Sequence, residues 1–179
     1  MNKSEIIQHA YVVTHILDGD ELFPNNQKFP LLVYKGALLL HPDSTPETIK
    51  DIFAKNGWTN AWVDDVFDYH HYHSNTHEVL GVFCGKADLQ LGGPEGVCVE
   101  LTRGDVILIP AGVAHKKTQG SDDFTVVGAY PAGAEYDIKY GKDGERPAAD
   151  ETIAKVDVPE CDPVYGKDAG TNQYWKQDT

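Results

Sequence analysis

The chain has 179 residues, of which 41% are hydrophobic and 24% charged, and these proportions are typical of one ordinary globular domain. Its 15 lysines and arginines stand against 28 aspartates and glutamates, so the net charge is −13. A field of that sign repels nucleic-acid phosphates and anionic membrane surfaces, which argues against nucleic acid as a partner. No apolar run approaches the roughly 20 residues of a membrane helix, and the first residues lack the apolar stretch of a secretory signal. We therefore expect a cytoplasmic protein with no membrane partner.

The first third of the chain contains short extended pieces separated by turns. Residues 11–13 and 31–34 are apolar and β-branched enough to predict strands. Residues 46–56 differ, because Pro at the first position and apolar side chains at helical spacing predict one short helix. We interpret 1–57 as an N-terminal arm outside the core.

Residues 58–131 alternate between strand-like runs of about five residues and turn signals rich in Gly, Pro and Asp, which is typical of an all-β sandwich or barrel. After residue 131 the composition becomes polar and rich in Gly and Pro, with one weak helical stretch near 149–155. The sequence thus predicts a single domain over 1–179, with a core barrel at 58–131 and a tail at 132–179 that wraps the outside.

Four of the eight histidines lie within residues 70–77. On a strand, His71 and His73 project from the same face with Cα atoms about 6.8 Å apart, so both imidazoles can reach one metal ion. Glu78 opens the next apolar run and is a candidate third ligand. Glu78 follows His73 by five positions, an odd number, so on one regular strand the two side chains would face opposite sides. A turn or bulge at 74–76 therefore has to direct Glu78 to the face of the histidines.

A fourth candidate ligand, His115, follows a strand-like run bounded by two turns. The first turn contains Gly104, and the second contains Pro110 and Gly112. The second turn reverses the chain direction, and His115 comes directly after this turn. An isolated histidine in such a place is weak evidence, so its meaning depends on the first cluster.

Together the two segments resemble the two motifs of the cupin superfamily. The first motif, His-x-His, four residues, Glu, six residues and Gly, is matched by His71, His73, Glu78 and Gly85. The second motif, Gly, five residues, Pro-x-Gly, two residues and His, is matched by Gly104, Pro110, Gly112 and His115. The glycine that usually opens the first motif is replaced by Asp65, and the asparagine that usually closes the second is replaced by Gln119. Both departures lie outside the ligand positions.

Further segments along nearly the whole chain resemble the YjlB-like cupins of bacteria and fungi, a family without an agreed reaction. These segments are 23–26, 32–36, 56–58, 71–81 and 127–131. The resemblance implies a double-stranded β-helix, that is, a cupin jelly-roll barrel with an N-terminal arm and one or two short helices. It also implies a metal held inside the barrel by His71, His73, Glu78 and His115.

Such a ligand set fixes the chemistry only broadly. Three neutral imidazoles and one carboxylate leave a divalent ion with a net charge of +1 and two open positions for a small-molecule ligand. Mixed nitrogen and oxygen ligands suit Fe, Mn, Ni, Co or Zn. We expect a small-molecule metalloenzyme of the oxygenase, decarboxylase, lyase or isomerase class; the alternative is a non-catalytic metal-dependent binding or sensor protein.

Other residues give weaker predictions. Gln119, Tyr130 and Cys84 are candidates for the substrate pocket, although an aromatic is more often part of the core and a small thiol is more often simply buried. His77, adjacent to Glu78, is expected to face the surface or an interface. The three cysteines are an odd number at unrelated spacings, so we expect reduced thiols. We also expect a homodimer, because sheets with exposed edges often pair.

Overall fold

A computed structural model describes residues 5–176, and within that range the chain forms nine strands and three short helices. The strands are β1 (Tyr11–Leu17), β2 (Asn26–Lys35), β3 (Trp58–Asp64), β4 (Glu78–Cys84), β5 (Lys86–Leu91), β6 (Val97–Thr102), β7 (Val106–Ile109), β8 (His115–Gly120) and β9 (Thr125–Pro131). The helices are α1 (Pro46–Lys55), α2 (Ala148–Ala154) and α3 (Thr171–Tyr174). The predicted all-β class with few helices is confirmed. Over residues 5–176, no helix combines the length and the apolar character that crossing a bilayer requires.

The strands form two antiparallel sheets. The large sheet has six strands in the order β1, β2, β7, β4, β9, β3, and the small sheet has three in the order β6, β5, β8. Strands β1 and β2 are therefore part of the main sheet, and the prediction of an arm outside the core over 1–57 needs correction. Local composition did not show this, because β2 pairs with β7, more than 70 residues later along the chain.

The space between the two sheets holds one apolar core. Alternate residues of β2, Leu31 and Val33, point into it from the large sheet, and Leu89 and Leu91 of β5 meet them from the small sheet. Strand β5 alternates between buried and partly exposed residues because only one of its faces is covered. The candidate site lies at one end of this core.

A second apolar core covers the outer face of the large sheet. It contains the other residues of β2, Leu32 and Tyr34, together with Ile49 and Phe53 of helix α1. Because both of its faces are buried, the middle of β2 is an uninterrupted apolar run. Helix α1 packs so closely on β4 that a Cβ atom at Gly81 would lie 2.9 Å from both Ile49 and Phe53. The glycine within that apolar strand is thus explained by the helix above it.

The C-terminal tail closes the second core. The ring of Trp175 is buried there and stacks on Phe29 with centroids 5.6 Å apart. A buried carboxylate, Asp162, holds the tail in place: it accepts a 2.6 Å hydrogen bond from the Tyr34 hydroxyl and three more from backbone N–H groups of the tail. The tail therefore packs against the large sheet, and its Trp175 and Asp162 side chains are buried in the interior.

Replacing Asp162 tests how strongly this carboxylate holds the tail. Asp162→Ala leaves four buried donors without an acceptor, so we expect the free energy of unfolding to fall by about 3 kcal/mol or more in urea titrations. Tyr34→Phe removes only one donor and is expected to lower it by about 1.5 kcal/mol. Asp168→Ala, at an exposed position of the same tail, is the control and should change it by less than about 0.5 kcal/mol. Equal stabilities of Asp162→Ala and Asp168→Ala would contradict this account.

Candidate metal centre

A cavity of about 190 Å³ opens at one end of the core between the sheets. Its buried floor contains the four predicted ligands, and its mouth is formed by the exposed side chains of Val63, Asp64, Asp65, Phe67 and Tyr136. Glu78 is the first residue of β4 and His115 is the first residue of β8, whereas His71 and His73 precede β4 in an extended segment. The structure thus brings together at one point side chains that are up to 44 positions apart in the chain.

Backbone pairing sets the distance between His71 and His115. The two residues form an isolated antiparallel bridge, in which each N–H donates to the carbonyl of the other at 3.2 and 2.8 Å. Side chains of directly paired residues lie on the same side of such a bridge. The ring centroids are consequently 4.1 Å apart.

The turn between His73 and Glu78 brings the Glu78 side chain to the same side as the histidines, although an odd number of positions separates it from His73. The carboxylate of Asp137, from the tail, accepts hydrogen bonds from the backbone N–H and the hydroxyl of Ser74. The Asn75 side chain donates to the Glu135 carbonyl, so the tail holds the next residue of the turn as well. On the other side, the N–H of Gly112 donates to the His73 carbonyl at 2.8 Å. This clamped turn directs Glu78 into the cavity beside the histidines.

The three histidines share one hydrogen-bond arrangement that fixes their tautomers. The Nδ1 atoms of His71, His73 and His115 lie 3.0, 2.5 and 3.0 Å from the backbone carbonyls of residues 69, 137 and 113, respectively. A carbonyl only accepts, so each Nδ1 carries the proton and donates it. In a neutral imidazole the lone pair is then on Nε2, the atom that faces the cavity.

Charge at the floor is concentrated on Glu78. Its carboxylate oxygens are 3.3 Å from Nε2 of His115 and 3.5 Å from Nε2 of His73. Burial would raise the pKa of Glu78, but His73 and His115 outweigh it and hold the pKa below its usual range. Burial, aided by His115, lowers the pKa of His71 to about 3, so this imidazole is neutral near pH 7. Burial also acts to lower the pKa of His73, but Glu78 more than offsets it, and that pKa is raised.

A hydrogen-bonded chain of side chains holds the carboxylate from behind. The Tyr130 hydroxyl donates to Glu78 Oε2 at 2.5 Å and accepts from the Trp62 indole N–H at 2.8 Å. The indole can reach Tyr130 because Gly128 lies directly beneath it, where a Cβ atom would be only 2.3 Å from the ring. Burial and the Glu78 charge raise the pKa of Tyr130, so its hydroxyl keeps its proton.

This donor set fits a divalent metal ion. One nitrogen from each of His71, His73 and His115 lies within 4.8 Å of the other two. Two ligands of a single ion are separated by about 3 to 4 Å, so small side-chain rotations suffice. The Nε2 atom of His115 is buried without a hydrogen-bond partner, which in a native interior calls for a ligand, a water or an ion. Three imidazole lone pairs beside a carboxylate are a typical transition-metal environment.

Two of the three residues predicted for the substrate pocket lie elsewhere. Tyr130 lines the cavity. Cys84 is at the opposite end of β4 from Glu78, roughly 20 Å away by strand length, and contacts Asp123. Gln119 is exposed near the far end of β8, where its amide donates to Asp88. A register shift between Val82 and Cys84 interrupts the alternation of β4, and distance along the strands separates Cys84 and Gln119 from the site.

The prediction that His77 faces the surface is wrong. His77 is buried: its Nδ1 accepts from the Ala111 N–H, its Nε2 donates to the Asp157 carbonyl, and its ring packs on Trp175. The alternation argument fails because β4 begins at Glu78 and His77 still belongs to the preceding turn. Burial lowers the pKa of His77 to about 4, so the ring stays neutral near pH 7. His77 thus connects the tail to the segment 71–78, which carries three of the candidate ligands.

Sequence reasoning missed several residues that shape the centre. Asp137 and Tyr136 come from the polar tail, which was predicted only to wrap the outside. Tyr136 stacks on Tyr130 with centroids 4.7 Å apart and lies 5.0 Å from the His73 ring. Nothing in the local pattern of these residues differs from an ordinary loop. Phe67 at the mouth was missed for the same reason.

A comparison with known proteins finds a relative that is similar over nearly the whole chain, although no family model matches the sequence. It is 43% identical over 162 residues to the uncharacterized protein YjlB of Bacillus subtilis (strain 168), an alignment that covers 90% of this chain and 95% of that protein.

Solved structures show weaker likenesses. An acireductone dioxygenase from Bacillus anthracis with a cadmium ion in its active centre is 24% identical with a TM-score of 0.40, over 52% of this chain and 63% of that chain, so less than two thirds of the enzyme is spanned. A TDP-quinovose 3,4-ketoisomerase from Campylobacter jejuni is 19% identical with a TM-score of 0.37, over 44% and 65%. A DUF861 family protein from Thermotoga maritima is 22% identical with a TM-score of 0.31, over 49% and 90%. With 43% identity to YjlB over nearly its full length, the chain belongs to the YjlB family, and the predicted resemblance to that family is confirmed.

Proposed function

We propose that this protein binds one divalent metal ion through His71, His73, Glu78 and His115 and acts on a small molecule as a metalloenzyme. The observation that carries the proposal is that one ring nitrogen from each of His71, His73 and His115 lies within 4.8 Å of the other two, while each Nδ1 is hydrogen-bonded to a backbone carbonyl. Metal-binding histidines are oriented by such bonds to backbone carbonyls or carboxylates. The fold would assemble the ligands without the ion, because apolar cores support the strands.

The charge balance supports the assignment. The pKa of Glu78 is held low, so the carboxylate places one negative charge beside the histidine side chains, and a divalent cation prefers a carboxylate together with imidazole ligands. When bound, the ion would supply Lewis acidity or one-electron chemistry, consistent with the oxygenase, decarboxylase, lyase or isomerase classes. Iron, manganese, nickel, cobalt and zinc all suit this ligand set.

One observation favours an enzyme over a non-catalytic binder or sensor. The Tyr130 hydroxyl lines the cavity and donates to Glu78, so a proton-bearing group lies beside the proposed ligands. Groups that hold or move a proton within hydrogen-bond reach of the reacting atoms are characteristic of catalytic sites. A cavity with only apolar walls would instead favour a binder.

Removing one imidazole tests the metal site. His73→Ala deletes a ligand that the turn and Asp137 hold in place, so we expect the metal content per chain to fall at least about tenfold by elemental analysis after dialysis against buffer. Circular dichroism should stay close to that of the parent protein. His9→Ala, an exposed histidine just before strand β1, is the control and should retain one ion per chain. Unchanged stoichiometry in His73→Ala would refute the proposal.

Tyr130 is expected to act through Glu78 as a positioning residue for the metal. Tyr130→Phe removes the hydrogen bond to Oε2, and loss of such an outer partner weakens metal binding by roughly 10- to 100-fold. The measurement is a competition titration against a coloured chelator. Tyr136→Phe alters the exposed ring stacked on Tyr130 and should leave the affinity unchanged. If both variants bind metal as the parent does, the hydroxyl has no part in the site.

We also propose a cytoplasmic homodimer. Strand β1 is at the edge of the large sheet, where its outer side offers unpaired backbone groups, and Tyr11 and Ile16 on it are 76% and 52% exposed. Light scattering should give twice the mass of one chain, and Ile16→Lys should shift the protein to the monomer. Leu39→Lys, also at a 52% exposed apolar position but outside the strands, should remain dimeric. A parent protein of single-chain mass at all concentrations would contradict the dimer.

A further inference from the structure

The size of the cavity limits its ligand to about one ring. Its volume is about 190 Å³, and an apolar cavity of about 150 Å³ in another protein accommodates benzene. A single six-membered ring with one or two small substituents therefore fits. A nucleotide-linked sugar is several times too large.

The walls favour a flat, apolar ring. Trp62, Phe67 and Tyr136 contribute aromatic surface, and Val66 and Leu80 contribute aliphatic surface. The ring of Phe67 also stacks on Tyr69, with centroids 4.9 Å apart and an interplanar angle of 15°. Offset stacking and edge contacts between rings contribute about 0.5 to 1.5 kcal/mol beyond area burial, which a non-planar ring of equal size would not gain.

The floor is polar and its groups are arranged to meet a hydroxyl. Glu78 and the three histidines lie there, where they would hold the proposed ion and leave positions open on it for an oxygen of the ligand. Ligands that bind such a two-ended cavity have an apolar body and one polar edge. A hydroxyl on the ring gives that edge both a proton to donate and an oxygen for the proposed ion.

Charge disfavours an anionic ligand. The residues that line the cavity include no lysine or arginine, whereas Asp64 and Asp65 lie at its mouth. The nearby Lys117 ammonium pairs with Asp65 at 2.5 Å. The whole chain has a net charge of −13. The aspartates at the mouth would repel an approaching carboxylate or phosphate, and only the proposed ion, not a cationic side chain of the cavity lining, would attract it.

From these four features we propose that the cavity binds an uncharged single-ring phenol, with its ring between Trp62, Phe67 and Tyr136 and its hydroxyl edge toward Glu78 and the histidines. This inference rests on the proposed metal site and names its ligand class. Phe67 is the specificity-determining residue at the mouth, because its ring, 49% exposed, is the most exposed of the three aromatic walls.

Calorimetry on the zinc-loaded protein tests the proposal, since zinc has no redox chemistry that would consume the probe. Catechol is expected to bind with a Kd of about 1 mM or tighter. Cyclohexanol, which has the size but not the planarity, and benzoate, which has the ring but a negative charge, should each bind at least about tenfold more weakly. Equal affinities for catechol and either of the other two compounds would overturn the proposal.

Two exposed aromatics give a matched pair of variants. Phe67→Ala should weaken catechol binding at least about fivefold, because it removes one wall of the ring site. Tyr11→Ala, at an exposed aromatic position on strand β1, should leave binding unchanged. If Phe67→Ala binds catechol as the parent does, the ring does not lie where we place it.

Metal content measured on the same samples separates the two proposals. One zinc per chain together with catechol binding supports both. One zinc per chain without catechol binding overturns the ligand class and leaves the metal site intact. If the Phe67→Ala variant binds catechol as the parent does, but binding disappears when zinc is removed, the proposed ring site is also overturned. The phenol would then be held by the ion alone. Catechol binding by a protein that retains no metal supports the ring site and overturns the metal proposal.

Discussion

Three backbone carbonyls decide the chemistry of the cavity, because they take the Nδ1 protons of His71, His73 and His115. A free imidazole interconverts between two tautomers, and only one of them presents Nε2 as a lone pair. Holding all three rings in that tautomer around one carboxylate makes a site for a cation. Without those carbonyls, the same four side chains would satisfy one another as an ordinary buried polar cluster.

Those carbonyls come from separate parts of the chain. The Asp137 carbonyl belongs to the tail, and the same residue's carboxylate clamps Ser74 in the turn that directs Glu78. His77 and Asp162 bind further parts of the tail to the strands. The tail is therefore a structural element of the site, and the order of the centre depends on folding the whole chain rather than the central strands alone.

The surroundings of the site determine which ligands suit it. Aromatic side chains at the mouth exclude water from the floor, and in such a low-dielectric environment the Glu78 charge and the imidazole dipoles act more strongly than in water. The acidic surface and the acidic residues at the mouth work in the same direction, since both repel anions. The predicted exclusion of nucleic acid as a partner and the proposed neutral ligand rest on the same charge distribution.

The sequence by itself determined the candidate ligands, the β-rich class, helix α1 and the family resemblance, because spacing and periodicity are local properties that can be read without knowledge of contacts. Only the tertiary structure decided that β2 belongs to the main sheet, that His77 is buried, that Cys84 and Gln119 lie far from the cavity, and that Tyr136 and Asp137 help to build it. Each of these depends on pairings across tens of residues. Local pattern predicts which face a side chain occupies, whereas its neighbours there are set by long-range packing.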